Sequence, residues 1–131
     1  MNFGAMVGFT KRLPPPGGES LLSPRLRVIF VPDWFTTDIL RSENVNCLLL
    51  IDSPSPKTLT VQTNSGILEG ESIHISQWGA EQVTIAAGTG VTVRVATGLV
   101  AATRAQFSTL VLIKTSDINQ EYLVVGDPAS A

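Results

Sequence analysis

Few residues in this chain have the types and spacing that catalysis needs. His74 is the only histidine, so no histidine pair exists to hold a metal. A nucleophilic triad would have to combine it with Asp52 and a serine, yet no Gly-x-Ser-x-Gly elbow presents a serine for attack. His74 alternates with Ile73 and Ile75, which places it on the opposite, solvated face of a strand. Gly88-Thr89-Gly90 has the look of a phosphate loop. The residues that follow, Val91 to Val95, are β-branched and supply no helix N-terminus, so a hairpin turn is expected there instead. Glu69 and Glu71 flank Gly70, and paired carboxylates can serve as glycosidic acid and base or as calcium ligands. With no third ligand nearby they read as a solvated turn. The single Cys47 cannot form an intramolecular disulfide and opens the apolar run Cys47 to Ile51, as a small buried hydrophobe does. These residues assemble no catalytic, metal or cofactor site, and the chain is not expected to be an enzyme.

Trp78, Phe107 and Tyr122 are the remaining chemistry-bearing group, a potential sugar-stacking platform. Aromatic residues make up only 6% of the chain, and Trp78 is expected to cover a sheet end or an interface.

The elements that would position these side chains are strands. From Ile73 to Val95 the apolar residues fall at every second position: Ile73 and Ile75, Val83 and Ile85, then Val91, Val93 and Val95. Short links, Trp78-Gly79-Ala80 and Ala87-Gly88-Thr89-Gly90, suit antiparallel hairpins, so a β-meander is predicted. Other strands are expected at Leu26 to Val31, Cys47 to Ile51, Thr58 to Val61, Leu99 to Thr103, Thr109 to Lys114 and Gln120 to Val125. Trp34 to Arg41 suggests a short helical turn capped by Thr36 or Thr37 and packing Ile39 and Leu40 inward. Many short strands at intervals of roughly 8 to 12 residues predict an all-β fold, a compact antiparallel β-sandwich or barrel. Its inward set is expected to be Leu59, Val61, Ile73, Ile75, Val83, Ile85, Val91, Val93, Leu110, Leu112, Leu123 and Val125.

Three regions follow: an extended Pro/Gly-rich N-terminal arm over 1–24, a strand and helical turn linking arm to core over 25–46, and the β-domain over 47–131. The triple proline Pro14-Pro15-Pro16 favours polyproline II and removes backbone donors, which excludes an inner strand or a helix. Phe3, Met6, Val7, Phe9 and Leu13 are more large apolar side chains than a solvated tail carries, so the arm is expected to order on a neighbour.

Charged residues are 15% and apolar ones 44% of the 131 residues, against about 25% charged in an ordinary soluble domain. No apolar run approaches the roughly 20 residues of a membrane span. The surplus is therefore expected to cover protein, with the chain self-associating as a dimer or trimer. Ile29, Val31, Val111, Ile113 and Val124 are candidates for that contact. Net charge is −2 and the basic residues are dispersed, which argues against nucleic acid. The first residues have no basic cluster ahead of a long apolar core, so no secretory signal is expected.

From about Leu48 to Ala131 the chain resembles a domain that recurs in virion structural proteins of tailed bacteriophages: head decoration, head fibre and tail-associated proteins. The resemblance rests on Lys57 to Val61, on Ile75-Ser76-Gln77-Trp78-Gly79-Ala80-Glu81-Gln82-Val83-Thr84-Ile85 followed by Gly90 to Val93, on Thr109 to Lys114 and on Tyr122 to Asp127. It departs where Trp78 replaces a glycine or small polar residue and where Tyr122 replaces a tryptophan. The resemblance implies a structural protein made in the host cytoplasm and carried in the virion. A small β-domain behind an apolar arm suits a capsid cement or decoration protein that binds the outer surface of the major capsid protein lattice. The partner-binding residues would then include Phe3, Met6, Val7, Phe9, Leu13, Ile29, Val31 and Trp78. The alternative is a tail or head-fibre module that binds host-surface glycan.

Overall fold

The structure is a computed structural model that describes residues 25–32 and 38–131. The arm, with Phe3, Met6, Val7, Phe9 and Leu13, and the Thr36 or Thr37 cap lie outside the described residues.

The fold is all-β. In chain order the strands are β1 (Arg27–Pro32), β2 (Ile39–Leu40), β3 (Cys47–Asp52), β4 (Lys57–Val61), β5 (Ser72–Gln77), β6 (Val83–Ala87), β7 (Thr92–Arg94), β8 (Leu99–Thr103), β9 (Thr109–Ser116), β10 (Glu121–Gly126) and β11 (Pro128–Ser130). They form a six-stranded sheet, β1-β3-β5-β9-β10-β7, and a five-stranded sheet, β11-β8-β6-β4-β2. Alternating side chains of both sheets meet in one core that includes Leu49, Ile51, Ile73, Ile75 and Leu110 from the first, with Leu40, Leu59, Val61, Val83 and Ile85 from the second.

The predicted meander and the wholly antiparallel sandwich are corrected. From β1 to β6 the chain alternates between the two sheets, so that β1, β3 and β5 pair in parallel, as do β2, β4 and β6. This half of the molecule is a flattened coil. The offset is 20 residues from Arg27 to its partner Cys47 and 26 from Leu48 to its partner His74. Short links do not require a hairpin when the chain steps from one layer to the other. The link after β5 seats instead on the turn of the previous coil: Trp78 and Gly79 N–H both donate to the Ile51 carbonyl, at 2.8 and 3.1 Å. A Cβ on Gly79 would lie 2.8 Å from Asp52 Oδ1 and 3.0 Å from Ser53 N, so the close seat needs glycine. In the second half β8 to β11 make antiparallel pairs, and β7 closes the six-stranded sheet by pairing in parallel with β10.

Two strands within residues 25–46 belong to these sheets. Ile39 and Leu40 form β2 rather than the end of a helical turn, and Leu40 is buried in the core. Val31 is buried as well.

The expected inward set holds for Leu59, Val61, Ile73, Ile75, Val83, Ile85, Val91, Leu110 and Leu112, with Val93 partly buried against the core. It fails in β10, where Tyr122 and Val124 are buried and Leu123 and Val125 face outward. A register shift between Glu121 and Tyr122 sets the phase, and buried polar partners fix it. The Tyr122 and Ser65 hydroxyls share a 3.1 Å hydrogen bond. Lys114, also buried, sits 5.6 Å from the Tyr122 ring centroid and donates to the Ile67 carbonyl at 2.8 Å. A second polar tie crosses the core, where the Thr103 hydroxyl donates to Gln77 Oε1 and accepts from Val83 N–H at 2.9 Å.

Candidate interaction surface

Parity along each strand decides which side chains turn away from the core. In β3 the residues Cys47, Leu49 and Ile51 are buried, so Leu48 and Leu50 turn outward. The pairing register then carries that outward face across the sheet. Val28, Leu48, His74, Val111 and Val125 occupy successive partner positions on β1, β3, β5, β9 and β10. Beside this row stand Phe30 and Leu50 on one side, and Ile113 and Leu123 on the other. The central row is therefore aliphatic apart from His74 near its middle, while the flanking rows turn polar at Ser76 and Thr109 on one side and at Ser72 and Arg94 on the other. His74 is half-buried, and its Nδ1 is enclosed with no hydrogen-bond partner among the described residues.

This face is most open at β1. Val28 is 60% and Phe30 52% exposed, with Leu26 beside them at 41%. The expectation for this strand is thus reversed in part. Ile29 and Val31 share the inward side with Leu49 and Ile51, and Val31 is fully buried. Val124 is likewise internal, whereas Val111 and Ile113 do stand on the outer face, half-buried. Either parity of β1 is apolar, so the sequence alone does not distinguish its faces. The facing of β1 follows instead from its register with β3, in which Cys47, Leu49 and Ile51 are buried.

The other predicted contact residue, Trp78, lies at the end of β5. Its ring meets Phe107 edge to face, with centroids 5.1 Å apart and planes at 73°, and the two are 43% and 61% exposed. Phe107 has φ +69, a left-handed conformation that costs a bulky residue free energy. Hydrogen bonds hold it there: Phe107 N–H donates to the Gln77 carbonyl at 2.6 Å, and Gln106 Nε2 to the Trp78 carbonyl at 3.1 Å. Tyr122 is buried in the core and takes no part, so the three-ring platform does not form.

The carboxylates and the thiol considered for chemistry take structural places. Glu71 accepts from Leu68 N–H at 2.8 Å, and Glu69 accepts from Asp117 N–H at 3.3 Å, so both carboxylates fasten turns. Cys47 is buried. The Gly88–Gly90 segment is a crossing between sheets, with Gly88 N–H donating to the Val61 carbonyl at 2.8 Å. Among the described residues there is no cluster of histidine, cysteine and carboxylate side chains that could hold a metal ion. No described helix is long and apolar enough to cross a membrane.

One ion pair is geometrically complete. Arg104 donates to both Asp127 carboxylate oxygens at 2.9 Å. That contact holds the Asp127 carboxyl below its ordinary value and raises the Arg104 guanidinium above its own.

Comparison with models of known protein families, with curated proteins and with solved structures finds no match.

Proposed function

We propose that this chain is a bacteriophage capsid decoration protein that binds the outer surface of the major capsid protein lattice and stabilises the head. It would act without catalysis, as a homo-oligomer on the virion surface, with neither nucleic acid nor membrane as its partner. The observation that supports the reading is the apolar outer face of the six-stranded sheet, which runs from Val28 to Val125 without a charged side chain in its central row. A contiguous apolar face of this kind marks a contact with protein. On a symmetric shell, a clamp that bridges neighbouring subunits adds binding free energy at every lattice site, and many modest contacts sum.

Purified protein mixed with undecorated heads should co-sediment with them in proportion to the lattice. The double variant Val111→Lys, Val125→Lys, which lies far from β1, should fold and lose that occupancy. Undiminished occupancy of this variant would overturn the reading.

The alternative, a tail or head-fibre module that binds host glycan, is favoured by one feature, the exposed Trp78–Phe107 pair. Glycan-array binding abolished by Trp78→Ala, with no retention on heads, would select it.

A further inference from the structure

Among the described residues, no strand pairs with the outer edge of β1. Arg27 N–H donates to the Asn46 carbonyl on the β3 side. In a parallel ladder the N–H and C=O of one residue point to the same neighbour and alternate along the strand. Arg27, Ile29 and Val31 therefore turn their backbone groups to β3, and Val28 and Phe30 turn theirs to the free edge. Native proteins blunt free edges with charged side chains, prolines, bulges or a covering segment, and in β1 the charge, Arg27, stands at the start of the strand. From Val28 to Val31 the strand has no charge, proline or bulge, and Pro32, which lacks a donor, stands only at its end.

We propose that two copies of this chain join by antiparallel pairing of their β1 edges about a two-fold axis at Ile29. The proposal rests on self-association but not on the shell as partner. The edge is its own complement in this register. Val28 of one copy lies opposite Phe30 of the other and the reverse, and each couple exchanges two backbone hydrogen bonds. The side chains of each couple, one β-branched and one aromatic, pair favourably across the strands on the outer face. The apolar surface becomes continuous through the axis. Charge does not oppose the contact, because each Arg27 falls opposite Val31, which separates the two guanidinium-bearing residues by roughly 13 Å along the strand, beyond a Debye length.

Burying Leu26, Val28, Phe30 and the backbone edge removes on the order of 500 Å² in total, well below a standard interface. The dimer is therefore weak when dilute, and forms where copies are concentrated, as on a lattice.

Ile29 meets its own copy at a non-hydrogen-bonded position, where Cα atoms stand about 4.5 Å apart, within reach of a disulfide. The full-length Ile29→Cys variant, oxidised mildly in free solution, should give a covalent dimer at least tenfold faster than the native chain, whose buried Cys47 is the control. Phe30→Lys, which alters an exposed residue, should fold and shift the sedimentation-derived dimerisation constant at least tenfold toward monomer. Equal cross-linking rates in Ile29→Cys and native chain would overturn the proposal, as would a sedimentation profile unchanged by Phe30→Lys. So would a monomer at every concentration up to about 1 mM. Retention of Val111→Lys, Val125→Lys on heads bears on the shell alone, so the two readings fail separately.

Discussion

The two sheets share one core and turn different faces to the outside. On the five-stranded sheet the outward rows are Ile39, Thr60 and Ala86, then Thr58 and Thr84, with the exposed Val100 on β8. On the six-stranded sheet the corresponding rows hold mostly valine, leucine, isoleucine and phenylalanine, with His74, Ser72, Ser76 and Thr109 among them. Threonine keeps the β-branched shape that suits a pleated surface while offering a hydroxyl to water. Threonine also stands on the outward side of the six-stranded sheet, at Thr109 and Thr115, so the contrast lies in the larger aliphatic share of that sheet's central row. Strand formation is satisfied on both sides, and the proposed contact uses the hydrocarbon of the six-stranded face.

The largest effect should appear when that asymmetry is inverted. Lysine at Val111 and Val125 places two ammonium groups in a surface that binding would dry, and an unpaired charge is costly to desolvate. Retention on a partner should fall at least tenfold, which corresponds to about 1.4 kcal/mol or more. Thr60→Lys together with Thr84→Lys makes the same chemical change on the opposite side and should leave retention within about twofold, read in the same sedimentation assay. A loss of equal size from both pairs would mean that the contrast between the faces carries no function.

A smaller effect tests where the outward face begins on β10. Tyr122→Phe removes the hydroxyl that shares a bond with buried Ser65, and should cost about 1 kcal/mol in urea unfolding. Leu123→Ser, one residue on and turned outward, should change stability by about 0.5 kcal/mol or less. The reverse order would restore the inward assignment of Leu123 and Val125 made from periodicity.

That assignment shows what the sequence can and cannot convey. Strand positions were legible because period two survives without knowledge of neighbours: Leu99 to Thr103 is recovered to the residue, and Cys47 to Ile51 falls one short of the observed Cys47–Asp52. Pairing was not legible. The link Trp78-Gly79-Ala80 is as short as a hairpin turn, yet it changes layers, because its partner is the Ile51 turn from the previous coil and not the strand that follows. The facing of β1 and β10 was hidden for a different reason. Each carries apolar residues at both parities, so alternation gives two equivalent answers and only the register with β3 or β9 chooses between them. The exposed site therefore went unread at Val28 and Phe30, while Val31, which packs inside, looked like a contact.

The smallest predicted effect concerns how the two faces are held relative to one another at the Gly126–Pro128 corner, where the chain leaves β10 for β11 and so passes from one sheet to the other. Gly126 there has φ +109, and a Cβ would collide with the Thr109 carbonyl oxygen. Arg104, just beyond β8, clips the corner through both oxygens of Asp127. Both groups are exposed, so solvent and salt screen the pair and its contribution is modest. The hydrogen bond from Arg104 is the main cause of the lowered Asp127 value, burial opposes it, and the Arg104 charge adds to it. A carboxyl with a folded value below its unfolded one stabilises the fold above the unfolded value, and that stabilisation fades as pH falls through the folded value. Asp127→Asn should therefore lower the thermal midpoint slightly at neutral pH and low salt. The difference from the native chain should shrink as pH drops below 3.8, the ordinary value for Asp127, and should also shrink on adding salt. A difference that is constant with pH and salt would mean that the corner is held by the shape of Gly126 alone.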